Sequence, residues 1–253
     1  MKSSLTDMLK TLRLSGLSST LEIRLQEAAA SRLGYDEFLE LLIQDEVNIR
    51  QERLIARRTK AAKFREIKTL EDFDWQFNSS VKRKQIYELA TCKFIKEGTD
   101  LLFIGPPGVG KSHLSQALGL QAIRMGFTVL YRSIFDLVRD MVADQTFEGQ
   151  DKILAKYLKP DLLIIDDMGI KHLPKLSGEH LFEVILRRHQ LRSTVMTSNR
   201  PIEEWGKLIG DVPAATAILD RFLQQSEIIT ITGKSYRIAS RNAKKQACKK
   251  EKV

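Results

Sequence analysis

The sequence predicts an α/β protein: a parallel five-stranded sheet flanked by helices, preceded by a small all-α region. Three observations predict it. Leu101-Leu102-Phe103-Ile104 is an apolar run that stops at Gly105 and passes through a glycine-rich loop into a helical pattern. Leu162-Leu163-Ile164-Ile165 is a second such run, closed by Asp166-Asp167. Between and after them, short apolar runs alternate with amphipathic stretches, as in a parallel sheet covered on both faces.

In chain order, residues 1–65 read as a helical domain. Leu5, Met8, Leu9 and Leu12 recur at near-helical spacing, Gly16 breaks the pattern, and Leu21, Ile23, Leu25 and Ala28 resume it. Gly34 interrupts again, and Asp36 is placed to cap a third helix that carries Phe38, Leu39, Leu42 and Val47. From Arg50 to Arg65 seven basic residues (Arg50, Arg53, Arg57, Arg58, Lys60, Lys63, Arg65) face one acid, Glu52. Such a run is either a solvated helix face or a surface for phosphate backbones. Residues 66–80 form a linker whose Trp75 and Phe77 either pack on the next domain or approach a nucleotide base.

The α/β domain spans 81–240. Val81–Ile95 reads as one helix ended by Gly98. Strands follow at Leu101–Ile104, Thr128–Tyr131, Leu162–Ile165, Thr194–Ser198 and Ile228–Ile231, with helices at Ile134–Val142, Ile153–Leu158, Leu181–Leu191 and Ala215–Gln224. Residues 241–253 are a basic tail, with Arg241, Lys244, Lys245, Lys249, Lys250 and Lys252 against Glu251.

Gly105-Pro106-Pro107-Gly108-Val109-Gly110-Lys111-Ser112 has the spacing of a nucleotide-phosphate loop. Glycines let consecutive N–H groups converge on one anion, and the helix behind adds its positive end. Lys111 reaches β- and γ-phosphates, and Ser112 offers a hydroxyl to Mg²⁺. His113 reads as a structural residue of the helix's first turn that borders this nucleotide-binding loop. Asp166 is the acid expected beside the metal, and Asp167 the group that orients or deprotonates water. Asn199, ending the next strand, can hydrogen-bond that water or the γ-phosphate. Arg221, on a late helix, is either a surface ion-pair residue or an arginine supplied to a neighbour's nucleotide.

The net charge of +9 and pI near 9.5 point to a polyanionic partner. Two distant cysteines, Cys92 and Cys248, exclude a disulfide framework. His113, His172, His180 and His189 show no zinc spacing. No apolar run approaches the ~20 residues of a bilayer span, so a cytoplasmic protein without a membrane partner is expected.

These motifs, with Ile165-Asp166-Asp167-Met168-Gly169 and Thr197-Ser198-Asn199-Arg200-Pro201, resemble the AAA+ ATPases of the DnaC/IstB branch. Leu12-Arg13-Leu14-Ser15-Gly16-Leu17, Ala28-Ala29-Ala30 and Leu70-Glu71-Asp72-Phe73-Asp74-Trp75 are similar to IstB-like proteins in particular. The resemblance implies an ATP- and Mg²⁺-dependent oligomer on double-stranded DNA that assists a transposase in target selection, or else a helicase loader of the DnaC type. It implies Lys111 and Ser112 as Walker A, Asp166 and Asp167 as Walker B, Asn199 as sensor 1, Arg221 as arginine finger and Arg237 as a second sensor. It implies a short or absent C-terminal lid. Asp167 stands where most AAA+ proteins carry glutamate, so slow hydrolysis is expected.

Overall fold

The computed structural model describes residues 3–143, 147–168, 177–205 and 212–241. Gly169, His172, Cys248 and the tail past Arg241 lie outside these. The chain forms two compact units, Met1–Arg58 and Thr59–Val253. Among the described residues no helix is long and apolar enough to cross a membrane.

The first unit holds α1 (Ser3–Thr11), α2 (Ser15–Ser31) and most of α3 (Tyr35–Ala62). Leu9, Leu21 and Leu42 form its core, flanked by Leu14, Leu17 and Phe38. Gly16 does not break a helix; it lies in the first turn of α2. Its N–H and that of Leu17 donate to Glu46 Oε2 at 2.6 and 3.1 Å, so a carboxylate from α3 satisfies the open end of α2. Burial pushes the Glu46 carboxyl up, but Arg50 and these two N–H groups outweigh it and hold the group below its ordinary range. A Cβ at Gly16 would lie 2.7 Å from Glu46 Cα, which is why glycine stands here. At α3 the cap is Glu37, not Asp36: its Oε2 accepts the Gly34 N–H at 3.0 Å, the reach-back half of a capping box.

The boundary between units falls inside α3, seven residues before the 65/66 boundary read from the sequence. The helix continues past it, and buried Ala62 together with Phe64 belongs to the second unit, Phe64 meeting Tyr131 there. Residues 66–80 likewise belong to this unit. The single helix expected over Val81–Ile95 is two, α4 (Arg83–Leu89) and α5 (Lys93–Lys96). Cys92 between them adopts a left-handed φ of 60°, which ends the helical ladder.

The second unit is built on β1 (Asp100–Ile104), α6 (Lys111–Arg124), β2 (Val129–Ser133), α7 (Ile134–Ala143), α8 (Phe147–Leu158), β3 (Leu162–Met168), α9 (Ser177–Arg188), β4 (Ser193–Ser198), α10 (Val212–Gln224) and β5 (Ser226–Thr230). All strands are parallel, in the order β2-β3-β4-β1-β5. Leu102, Leu130, Leu163, Ile165 and Met196 alternate onto one face and pack with Leu137, Tyr157, Val184, Trp205 and Phe222. On the other face Ile164 meets α6. The chain leaves β1 for the far edge at β2 and returns through β3 and β4 to β1's side. The carboxyl ends of β1, β4 and β3 therefore adjoin, and ligands of open α/β sheets bind at such ends.

Replacing Gly16 with alanine is expected to destabilise the first unit by about 1–3 kcal/mol, because the clash is with backbone and exceeds the ~1 kcal/mol of helix propensity gained. Amide hydrogen exchange of the full chain would show faster exchange confined to α1, α2 and the start of α3.

Candidate active site

Asp166 is fully buried and accepts three hydroxyls: Ser112 at 2.9 Å, Tyr131 at 2.5 Å and Thr197. They come from α6, β2 and β4, so one carboxylate ties together the elements around the phosphate loop. Ser112 Oγ and Asp166 Oδ1 are oxygen donors side by side, the type that hard divalent cations take.

Adjacent strand residues point to opposite faces, and the sequence suggested that a turn at the strand's end lets both aspartates reach the site. The structure solves this within the strand. Opposite Met196–Ser198 of β4, β3 advances from Ile165 to Met168, one residue more, which is a β-bulge. Asp167 is the displaced residue, at φ 67°, a left-handed conformation that aspartate tolerates better than most side chains. Its N–H donates to Thr197 Oγ1 at 3.2 Å, so Thr197 holds both aspartates. Burial and the neighbouring Asp166 push the Asp167 carboxyl above its ordinary range, while Arg65, 3.2 Å away, pulls it down.

The phosphate loop leaves β1 at Gly105, whose N–H donates to Ser198 O of β4 at 3.2 Å. Gly110 begins α6 at φ 108° with Phe73 against it; a Cβ there would lie 2.6 Å from the ring. Lys111 is buried, and its Nζ donates to the carbonyls of Gly105 and Pro106 and to Asn199 Oδ1, all within 2.7–2.8 Å. Burial pushes its pKa down to about 8, against the opposing pull of Asp166 and Asp167. Asn199 is placed by its own N–H, which donates to Met168 O at 3.1 Å. His113 Nε2 donates to Thr69 O at 2.7 Å and its ring meets Phe73 edge-on, which ties the 66–80 segment to α6.

These groups open on one cavity of about 580 Å³, a size suited to a small-molecule ligand. Pro107, Gly108, Val109, Gly110, Lys111, Ser112, His113, Asp166, Asp167, Asn199 and Arg237 all line it; Gly105, Pro106 and Arg221 are not among the lining residues. Phe77 and Tyr236, edge to face at 5.1 Å, form an aromatic wall, and Tyr236 N–H donates to Gly108 O at 2.9 Å. Trp75 is not part of the lining; it packs on Phe73 and Tyr87 beneath Arg83. Arg221 is exposed on α10 and is not among the lining residues. In the basic run, Arg50, Arg53, Arg57, Lys60 and Lys63 are all exposed; Arg50 also binds Glu46 at 2.7 Å, and Arg53 binds Ser15. Sequence reasoning missed Tyr131 and Thr197. Their signal is a hydroxyl buried in a strand beside β3, on the edge strand β2 for Tyr131 and on β4 for Thr197.

A family model described as IstB-like ATP binding protein matches residues 7–245. The chain belongs to this family. Among IstB-like relatives, an ATP-binding protein of insertion sequence IS5376 from Geobacillus stearothermophilus is 38% identical over 221 residues, covering 87% of each chain. One of insertion sequence IS21 from Pseudomonas aeruginosa is 35% identical, covering 91% of this chain and 87% of the relative. In fold, the IstB-like chain is similar to the DnaC helicase loader, with a TM-score of 0.54 and 23% identity over 64% of this chain and 96% of that one. It is also similar to AMPPCP-bound DnaA from Aquifex aeolicus, with a TM-score of 0.55 and 23% identity over 72% and 56%. The second unit is thus an AAA+ P-loop fold, and this IstB-like protein is an ATP-binding ATPase linked to transposition.

Thr197→Val keeps the shape of β4 but removes one donor from a buried carboxylate and the acceptor of the Asp167 N–H. ATP turnover is expected to fall at least tenfold, and stability by about 1–3 kcal/mol in urea titration.

Proposed function

We propose that this protein is a Mg²⁺-dependent ATPase that assembles as an oligomer on duplex DNA in the cytoplasm and assists its element's transposase in choosing a target. The observation that carries the reading is the convergence of the phosphate loop, the aspartate pair and Asn199 on one cavity, in a chain whose relatives are named as ATP-binding proteins of insertion sequences.

Ser112 and Asp166 are the pair that would hold Mg²⁺, which when bound neutralises charge on the phosphates. Lys111 and the N–H groups of the loop bind phosphate oxygens. Phe77 and Tyr236 offer the base an apolar wall. Asp167 accepts a proton from, or orients, the attacking water, and Asn199 fixes the neighbouring oxygen. Asp167 has a short side chain already paired with Arg65, which supports slow basal turnover. Arg221 does not line its own chain's cavity, and in this reading it acts on a neighbour's nucleotide. Arg57, Lys60 and Lys63, exposed in a chain of net charge +9, are the cations offered to DNA phosphates; Arg50 and Arg53 chiefly hold the first unit together.

A helicase loader is the second reading, favoured by the likeness to the DnaC loader. That likeness, at 23% identity, shows the fold alone, whereas the insertion-sequence relatives match through most of the chain at 35–38%.

Phosphate release measured with and without random-sequence duplex DNA tests the proposal. Stimulation of severalfold or more is expected, weakening as salt rises. Arg221→Ala is expected to bind ATP normally yet lose most turnover, and mixing it with Lys111→Ala chains is expected to restore no more than part of it. DNA-independent turnover that is indifferent to Arg221 would contradict the assembly.

A further inference from the structure

Arg65 lines the wall beside Asp167, with Nη1 3.2 Å from Oδ2. Its backbone is held on both sides. Phe64 packs on Tyr131 with ring centroids 6.1 Å apart, and the Glu66 N–H donates to Gln116 Oε1 at 3.1 Å. The side chain itself is open to solvent: it is 56% exposed, against 18% for Asp167. An ion pair this open is weak, so a better anion can take the guanidinium without disturbing the fold. The cavity's other cations are placed differently. Lys111 Nζ is enclosed by the loop carbonyls and Asn199, Lys68 Nζ is paired with Glu66 Oε2 at 2.6 Å, and Arg237 comes from the opposite end of the chain.

Arg65 therefore combines a fixed base, a movable head and a position next to the carboxylate assigned to the attacking water. A guanidinium also presents paired donors that match two phosphoryl oxygens. We propose that Arg65 recognises the terminal phosphate of a bound nucleoside triphosphate from within the same chain. It exchanges Asp167 for phosphoryl oxygens, and so frees that carboxylate to meet water only when a triphosphate is present. This rests on the reading of the cavity as an ATPase site. It adds a residue that tells triphosphate from diphosphate and restrains Asp167 in the meantime.

The test is a binding titration of the full chain with Mg²⁺, using fluorescently labelled ADP and a non-hydrolysable triphosphate analogue, for wild type, Arg65→Gln, Arg65→Lys and Asp167→Asn. Arg65→Gln is expected to lose about tenfold in affinity for the triphosphate, the loss of one charge-assisted contact, with ADP affinity within twofold of wild type. Arg65→Lys should retain part of the preference. Asp167→Asn, lacking the competing carboxylate, should bind the triphosphate severalfold more tightly than wild type. An Arg65→Gln that weakens both nucleotides equally, as a merely structural residue would, or that weakens neither, overturns the proposal. Phosphate release from ATP by the same protein preparations separates the two levels. Wild-type protein that binds the triphosphate but never hydrolyses it contradicts the ATPase reading, while the discrimination by Arg65 is still decided by binding.

Discussion

A carboxylate shut away from water must find donors, and Asp166 finds three, on Ser112, Tyr131 and Thr197. An unpaired buried charge costs several kcal/mol, so each hydroxyl matters to the fold as well as to the chemistry. Because the three arrive from α6, β2 and β4, the carboxyl ends of β2, β3 and β4 cannot drift apart without exposing that cost. The same interaction sets the distance between the phosphate loop and the acidic pair, and on that distance any grip on a nucleotide depends.

The rest of the site follows from strand order. β4 lies between β1 and β3, so Asn199 falls between the loop and the aspartates and reaches Lys111 directly. The bulge in β3 turns what would be opposite-facing side chains into neighbours in one cavity. Residues far away in sequence close the remaining walls: Phe73 and Phe77 from the segment ahead of the sheet, Tyr236 and Arg237 from the segment behind it. The loop is therefore clasped by both flanks of the domain, through His113 to Thr69 on one side and Gly108 to Tyr236 on the other.

Much of this was legible in the residues alone, and the division is physical. Glycine spacing, a four-residue apolar run ending in two acids, and the change of hydrophobic period are local signals, and they located the loop, the buried strand and the alternation of elements. What escaped was set by contacts between distant residues. Gly16 reads as a helix breaker until Glu46 is seen approaching from α3. Val81–Ile95 has the apolar pattern of one helix, yet a left-handed Cys92 divides it. The bulge at Asp167 is a matter of register against β4, which no single strand encodes. Arg65 looks like the last member of a basic run, and only the folded chain pairs it with Asp167.

The central claim is that Ser112 and Asp166 grip the metal of a bound nucleotide. Titration calorimetry of ATP into wild type and Asp166→Asn, each with Mg²⁺ and with EDTA, tests it most directly. Wild type should bind ATP at least tenfold more tightly with Mg²⁺ than without it, and Asp166→Asn should lose most of that difference while remaining folded. Equal affinities with and without the metal in wild type, or a metal dependence that survives unchanged in Asp166→Asn, would contradict the account.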